Sequence, residues 1–306
     1  MTAIIPNLPN HEYHAHPAIS KSQLDLIARS PAHYQASLQS EHESTDALIF
    51  GSAFHDFVLQ PELFAETYVY RPDDLNPRTK DGKAWLEAQA DKIILKAEWH
   101  EQIQGMADSI TAHSVASKLL TGGTAETSYF WTDADTGAEC RCRPDYLHPS
   151  GIIVDLKSTT DASPTAFAKS CANFRYHVQA AFYSEGIYQT TGQRPKGFVF
   201  IAVEKTAPYA VGVYELDEAA LMLGRELFQR DLDTYSTAKQ NQQWYAYSPM
   251  IETLSLPAWR STSYGGYGKA IPPQPNCRHR PHLKRLHPQN PSRNRCVQLP
   301  ARRTNG

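Results

Sequence analysis

The sequence predicts an α/β fold, a central β-sheet flanked by helices and preceded by short helical segments. Three observations predict it. Ile152-Ile153-Val154 is a β-branched run of the kind that fills a buried strand. The turn before it, 148–151, carries Pro, Ser and Gly, so the chain doubles back on the strand that precedes it. Phe50, Phe54, Phe57 and Val58 recur at helical spacing and make one apolar stripe.

The elements follow in chain order. Segments 22–28 and 31–38 read as short helices, the second with Ser30 as N-cap and Pro31 in the first position. A helix over 48–59 carries the Phe stripe. Segments 82–95 and 98–120 read as helices of an insertion over the sheet. Strands are expected over 124–132 and 138–147, joined through Asp133-Ala134-Asp135-Thr136-Gly137, whose Asp and Gly suit a hairpin turn. Segments 151–158, 197–203 and 210–216 complete the strands, with a helix over 176–188 between them.

Length and composition bound the rest. The 306 residues would allow two domains, but 41 % apolar content and motifs that interlock over the first 250 favour one domain over 1–255. No run of about 18 apolar residues occurs, and no basic then apolar leader opens the sequence, so neither a membrane span nor export is expected. The five cysteines form no Cys-x₂-Cys pair, which argues against a zinc site, and their odd number suggests a reducing cytoplasm. Charge is divided unevenly: all 32 acidic residues lie at or before Glu252, whereas 260–306 holds ten Lys or Arg and no acid. Segment 256–306 is therefore set apart as a basic, Pro- and Arg-rich tail. It is either a disordered arm that binds nucleic acid or a degenerate terminus.

Chemistry concentrates around Asp145. Asp155 and Lys157 lie two residues apart, so a strand points both to one face. A hairpin register that sets Asp145 opposite them gathers two carboxylates and an ammonium. Hard cations such as Mg²⁺ prefer carboxylate oxygens, and the ammonium would stand near an attacking water or a phosphate. The competing reading is a surface ion pair. Against it, the apolar run before Asp155 places that carboxylate at the edge of a core, where it needs a partner. His55 adjoins the Phe stripe and is either a satisfied core histidine or a metal ligand.

Tyr176, Gln179 and Tyr183 share one helical face, and a glutamine within an aromatic stripe is expensive to bury unpaired. Glu126 and Glu185 are candidate accessory carboxylates. The acidic body calls for a local basic lining if it binds DNA, with Arg78, Lys80, Lys83, Arg141, Arg143 and Arg175 as candidates. Arg78, Lys80 and Lys83 lie where a loop enters a helix, a natural phosphate site. No Gly-x-Ser-x-Gly elbow, phosphate-cradling Walker loop or His-Glu-x-x-His motif is present.

Taken in order, Gly51-Ser52-Ala53-Phe54-His55, Arg143-Pro144-Asp145-Tyr146, Asp155-Leu156-Lys157 and Tyr176-His177-Val178-Gln179-Ala180-Ala181-Phe182-Tyr183 resemble the PD-(D/E)XK nuclease superfamily. More narrowly it resembles the RecE-type exonucleases (exonuclease VIII) and their RecB-like relatives. The opening Ile19-Ser20-Lys21-Ser22-Gln23-Leu24 and Ser30-Pro31-Ala32-His33-Tyr34 resemble the family's N-terminal signature. Some RecB-like relatives hold an iron–sulfur cluster through a cysteine where Ser30 stands, so no cluster is expected.

The resemblance implies a restriction-endonuclease-like mixed sheet and a metal-dependent exodeoxyribonuclease acting on linear double-stranded DNA, 5′→3′, in phage-type recombination. It implies that Asp145, Asp155, the Leu156 carbonyl and His55 hold Mg²⁺, for which Mn²⁺ can substitute. Lys157 would position the nucleophile, with Gln179 and Tyr183 beside the reaction. Arg78, Lys80, Lys83 and Arg143 are the expected DNA contacts. A ring-shaped homo-oligomer and a single-strand annealing partner also come with the family. The alternative is a DNA-binding module of the same fold without catalysis.

Overall fold

The computed structural model describes residues 2–40, 45–248 and 250–255. Residues 1–251 form one unit, and of 252–306 only 252–255 are described, without helix or strand. The basic tail expected over 256–306 thus lies outside the described residues.

The N-terminal part holds β1 (Ala3–Ile5), α1 (Asn10–Ala15), α2 (Lys21–Arg29) and α3 (Pro31–Ser37). A capping box opens α2: the Ser20 hydroxyl accepts from the Gln23 N–H while Gln23 Oε1 accepts from the Ser20 N–H. Ser30 caps α3 with Pro31 in the first turn, as expected. There follow α4 (Asp46–Leu59), α5 (Pro61–Thr67), β2 (Tyr68–Tyr70), α6 (Lys80–Ala88), β3 (Ile93–Leu95), α7 (Trp99–Ala112) and α8 (Ala116–Leu119). The strand-rich centre comprises β4 (Thr124–Ala125), β5 (Ser128–Thr132), β6 (Glu139–Cys142), β7 (Tyr146–Leu147) and β8 (Ile152–Thr159). The chain continues through α9 (Pro164–Asn173), α10 (Tyr176–Thr191), β9 (Gly197–Glu204), β10 (Val211–Glu215) and α11 (Glu218–Asn241).

The main sheet is mixed and five-stranded, in the order β10-β9-β8-β7-β4. Only its β8–β9 pair is parallel, and the crossover that a parallel pair requires is supplied by α9 and α10. Smaller sheets pair β1-β5-β6 and β2-β3. Alternation along the strands divides the core in two. Ile153, Phe198 and Phe200 pack with Val178 and Phe182 of α10 and Phe228 of α11. Val154, Leu156, Ile201 and Val203 pack on the opposite face with Phe50 and Phe54 of α4 and Ile103 and Met106 of α7. Phe200 and Phe54 are fully buried, and burying each contributes roughly 1.5–3 kcal/mol. Gly224 sets the spacing of α10 and α11, since a Cβ there would stand 2.1 Å from the His177 carbonyl oxygen. Among the described residues no helix is long and apolar enough to cross a membrane.

Four sequence expectations change. The strand expected over 124–132 breaks at Glu126, whose φ of 49° lies in the left-handed region, so β4 joins the main sheet and β5 the three-stranded one. The strand expected over 138–147 breaks around Pro144, which has no N–H for a ladder. The helix expected over 82–95 ends at Ala88, and Ile93-Ile94-Leu95 pairs in parallel with β2, where β-branched residues fit a pleated surface. The helix expected over 98–120 is divided: α7 ends at Ala112, and the His113 ring nitrogen accepts from the Ala116 N–H at the start of α8.

Candidate active site

The breaks at Glu126 and Pro144 build the centre of the site. Both strands leave the ladder at the same level, and the Glu126 N–H donates to the Asp145 carbonyl (3.1 Å). Beyond the break β7 pairs with β8 through Tyr146↔Val154, which sets Asp145 opposite Asp155, the register expected from the sequence. Asp145 Oδ2 accepts from the Leu156 N–H (2.7 Å) and lies 3.4 Å from His55 Nδ1. One ligand atom each from His55, Glu126 and Asp145 lies within 4.8 Å of the others.

Asp155 is fully buried. Its Oδ1 accepts from Gln179 Nε2 of α10 (2.5 Å), and its Oδ2 lies against Lys157 Nζ. The glutamine in the aromatic stripe therefore has the partner its burial demands. Lys157 also sits over the Tyr176 ring, 4.8 Å from the centroid.

Electrostatics follow from this crowding. Burial, and next the Asp145 charge, push the Asp155 carboxyl up to about 6 against the pull of Lys157. Burial and Asp145 also push Glu126 well above the usual carboxylate range, against Arg143. Burial disfavours the Lys157 ammonium, yet Asp155 and Asp145 outweigh it and raise its pKa. Three acids crowd together against one ammonium, the Arg143 guanidinium and one imidazole, and a hard cation would relieve that crowding. Oxygen-rich donors with a single imidazole are a set that Mg²⁺ or Mn²⁺ accepts, so the residues fit the expected metal.

A groove of about 970 Å³ opens onto this cluster, with His55, Glu126, Arg143 and Tyr183 in its wall and Asn10 and Tyr13 of α1 along one side. The contribution of α1 was not foreseen, because that short helix carries no motif. Burial raises the Tyr183 hydroxyl well above its ordinary value. Arg143 lies in the wall but is already engaged: Nε donates to Ser128 Oγ (2.9 Å), NH2 donates to the Leu8 carbonyl (2.9 Å), and the guanidinium stacks on Tyr13 at 4.0 Å.

Other candidates lie apart. Arg141 is buried and donates to the His16 and His14 carbonyls. Arg175 pairs with Asp231 and Asp25, and Glu185 with Arg225 and Arg194, so these three serve the fold. Arg78, Lys80 and Lys83 stand exposed at the start of α6 and do not line the groove. Cys140, Cys142 and Cys171 are buried free thiols.

Comparison with known proteins agrees with this architecture. The family model described as "PDDEXK-like domain of unknown function (DUF3799)" matches residues 20–257. No curated protein sequence matches the chain. A crystal structure titled as a "putative exonuclease" from Eubacterium rectale is similar in fold, with a TM-score of 0.58 and 16 % identity over 85 % of this chain and 99 % of that one. The crystal structure of SSO0001 matches at a TM-score of 0.26 and 15 % identity over 57 % of this chain and 84 % of that one, too distant to inform the fold.

Proposed function

The chain belongs to the PDDEXK-like family whose model spans residues 20–257, and from that membership and the site geometry we propose that it is a metal-dependent nuclease hydrolysing phosphodiester bonds of DNA. One observation carries the reading: His55, Glu126 and Asp145 converge within 4.8 Å at the strand register that sets Asp145 against Asp155 and Lys157. A surface ion pair would need none of this company.

His55, Glu126 and Asp145 would hold the cation, with Asp155 and the Leu156 carbonyl as further oxygens. When bound, the cation supplies Lewis acidity, acidifying water and neutralising charge that develops on the phosphate. Lys157 orients the attacking water and meets the phosphate charge. Asp155 holds the Lys157 ammonium, and Gln179 fixes the Asp155 carboxylate from α10. Tyr183 and Arg143 shape the wall against which the strand lies.

The finer reading rests on the resemblance to RecE-type enzymes. It comprises digestion of linear duplex DNA 5′→3′ with Mg²⁺ or Mn²⁺, a ring-shaped homo-oligomer and a single-strand annealing partner; a cytoplasmic setting is proposed from the odd cysteine count. Residues 1–255 are proposed as the nuclease domain and 256–306 as an appendage.

Linear and covalently closed duplex DNA, incubated with Mg²⁺, Mn²⁺ or EDTA, test the proposal. Loss of linear DNA with either metal, protection by EDTA and survival of the closed circle are expected. Binding without cleavage under every metal condition would instead identify a non-catalytic DNA-binding module.

A further inference from the structure

Phe174 is the one phenylalanine among the described residues whose side chain is mostly exposed, at 60 %. It caps the C-terminus of α9, and the next residue, Arg175, takes a left-handed φ of 55° that turns the chain into α10. The turn brings Phe174 onto Tyr176, with ring centroids 5.7 Å apart and planes 29° apart. Tyr176 stacks in turn on the buried Phe200, at 5.6 Å and 28°. An aromatic column thus rises from the core and ends in solvent at Phe174.

The column stands beside the reactive cation. Lys157 Nζ lies 4.8 Å from the Tyr176 centroid, which places the Phe174 ring roughly 10 Å from it at most, about three base steps at 3.4 Å each. The backbone beneath the ring is held in place, since Lys21 Nζ donates to the Phe174 carbonyl (2.8 Å) and pairs with Asp25 (2.7 Å). Neither Phe174 nor Tyr176 lines the groove that His55, Glu126 and Arg143 border.

We propose that Phe174, backed by Tyr176, is a stacking platform for a nucleobase of the DNA strand held at the Lys157 side of the site. The inference rests on the nuclease reading and specifies how that site takes hold of a single strand. An exposed aromatic ring accepts any base through its π-face, and the Lys157 ammonium lies on the same side of the site. That combination provides grip without sequence preference, which an enzyme that steps along a strand requires. Tyr176 gives the platform rigidity, because the core fixes its position.

The test uses the full chain in EDTA with a single-stranded oligonucleotide containing 2-aminopurine, an adenine analogue whose fluorescence falls on stacking. Wild type and Phe174→Trp are expected to quench the probe on binding. Phe174→Ala and Phe174→Leu should lose the quenching and bind about tenfold more weakly, with an unchanged Tm because the side chain is exposed. Wild-type quenching and affinity in Phe174→Leu would overturn the platform, as would slower cleavage in Phe174→Ala with quenching intact, which marks a merely structural ring. Linear duplex degraded by wild type alongside either of those results leaves the nuclease reading standing. Absence of both binding and cleavage in wild type removes both.

Discussion

Asp155→Asn tests the electrostatic core of the site without touching its shape. The Asp155 carboxyl is pushed up to about 6 from an ordinary 3.8 by burial and by Asp145. A carboxyl whose pKa is higher in the fold than in the unfolded chain contributes stability that is fully present below about pH 3.8. That contribution is lost as pH rises through 6. At about 1.36 kcal/mol for each pH unit between the two values, the loss comes to roughly 3 kcal/mol. For a chain of this size roughly 2–4 °C of Tm accompanies each kcal/mol.

Between pH 4 and pH 7.5, metal-free wild type should therefore lose about 6–12 °C more than Asp155→Asn does. The asparagine keeps an acceptor for the Gln179 amide, and the Lys157 side chain, 18 % exposed, can turn its ammonium to water. Glu126 adds a slope of the same sign in both proteins, so the difference between them reports Asp155. Thermal unfolding by circular dichroism in EDTA across this range is the assay, with cleavage of linear duplex measured in parallel. Cleavage should fall by several orders of magnitude. Parallel Tm–pH curves would refute the burial argument. Full cleavage at ordinary Mg²⁺ would remove Asp155 from the mechanism.

Four further outcomes are expected. Lys157→Ala should abolish cleavage yet keep or tighten Mg²⁺ binding in calorimetry, because a like charge leaves the cation's surroundings; collapse of metal binding would disprove the role given to the ammonium. The double variant Lys80→Ala, Lys83→Ala, at the exposed start of α6, should bind linear duplex more weakly, its salt slope shallower by up to about 2, and an unchanged slope would make these lysines bystanders. Gly224→Ala should cost roughly 1–3 kcal/mol, seen in denaturant unfolding, because the new Cβ meets the His177 carbonyl. Truncation after Trp259 should leave Tm and the degradation rate on linear DNA nearly unchanged, since residues 1–251 form their own unit; much weaker low-salt DNA binding would show instead that the ten cations of the tail act as an arm.

The elements legible in the sequence were those that bury one face. Phe50, Phe54 and Phe57 marked α4, and Ile152-Ile153-Val154 marked β8, because burial leaves a period in the residue types. The two broken strands were misread for a local reason. Alternation alone does not show that Glu126 turns left-handed, or that the Pro144 break sends β6 and β7 to different sheets. β3 was hidden inside a helical pattern because three residues are too few to show a period, and its parallel partner β2 lies 25 residues upstream. α11, the longest helix described, was missed because its exposed face is heavily charged and its apolar residues are diluted over 24 positions.

The site was legible to the extent that its chemistry is tied to one ladder. Asp145, Asp155 and Lys157 belong to a single hairpin, so a turn signal and a two-residue spacing were enough to bring them together. Gln179 was found by a different route, since a polar group within a buried stripe implies a partner. Glu126 could not be ranked above Glu185 by spacing, because both are isolated acids in apolar surroundings. Tertiary placement separates them: Glu185 faces Arg225 and Arg194, which neutralise it, whereas Glu126 faces Asp145 and is pushed toward its neutral form. A carboxylate placed beside two others, with less positive charge than would balance them, weakens the metal-free fold. That cost is offset once a cation occupies the cluster, so Mg²⁺ should raise the Tm of wild type at neutral pH, and Glu126→Gln should raise the metal-free Tm while shrinking the Mg²⁺ increment. A Glu126→Gln protein with the full wild-type increment would place the cation elsewhere and return Glu126 to the groove wall.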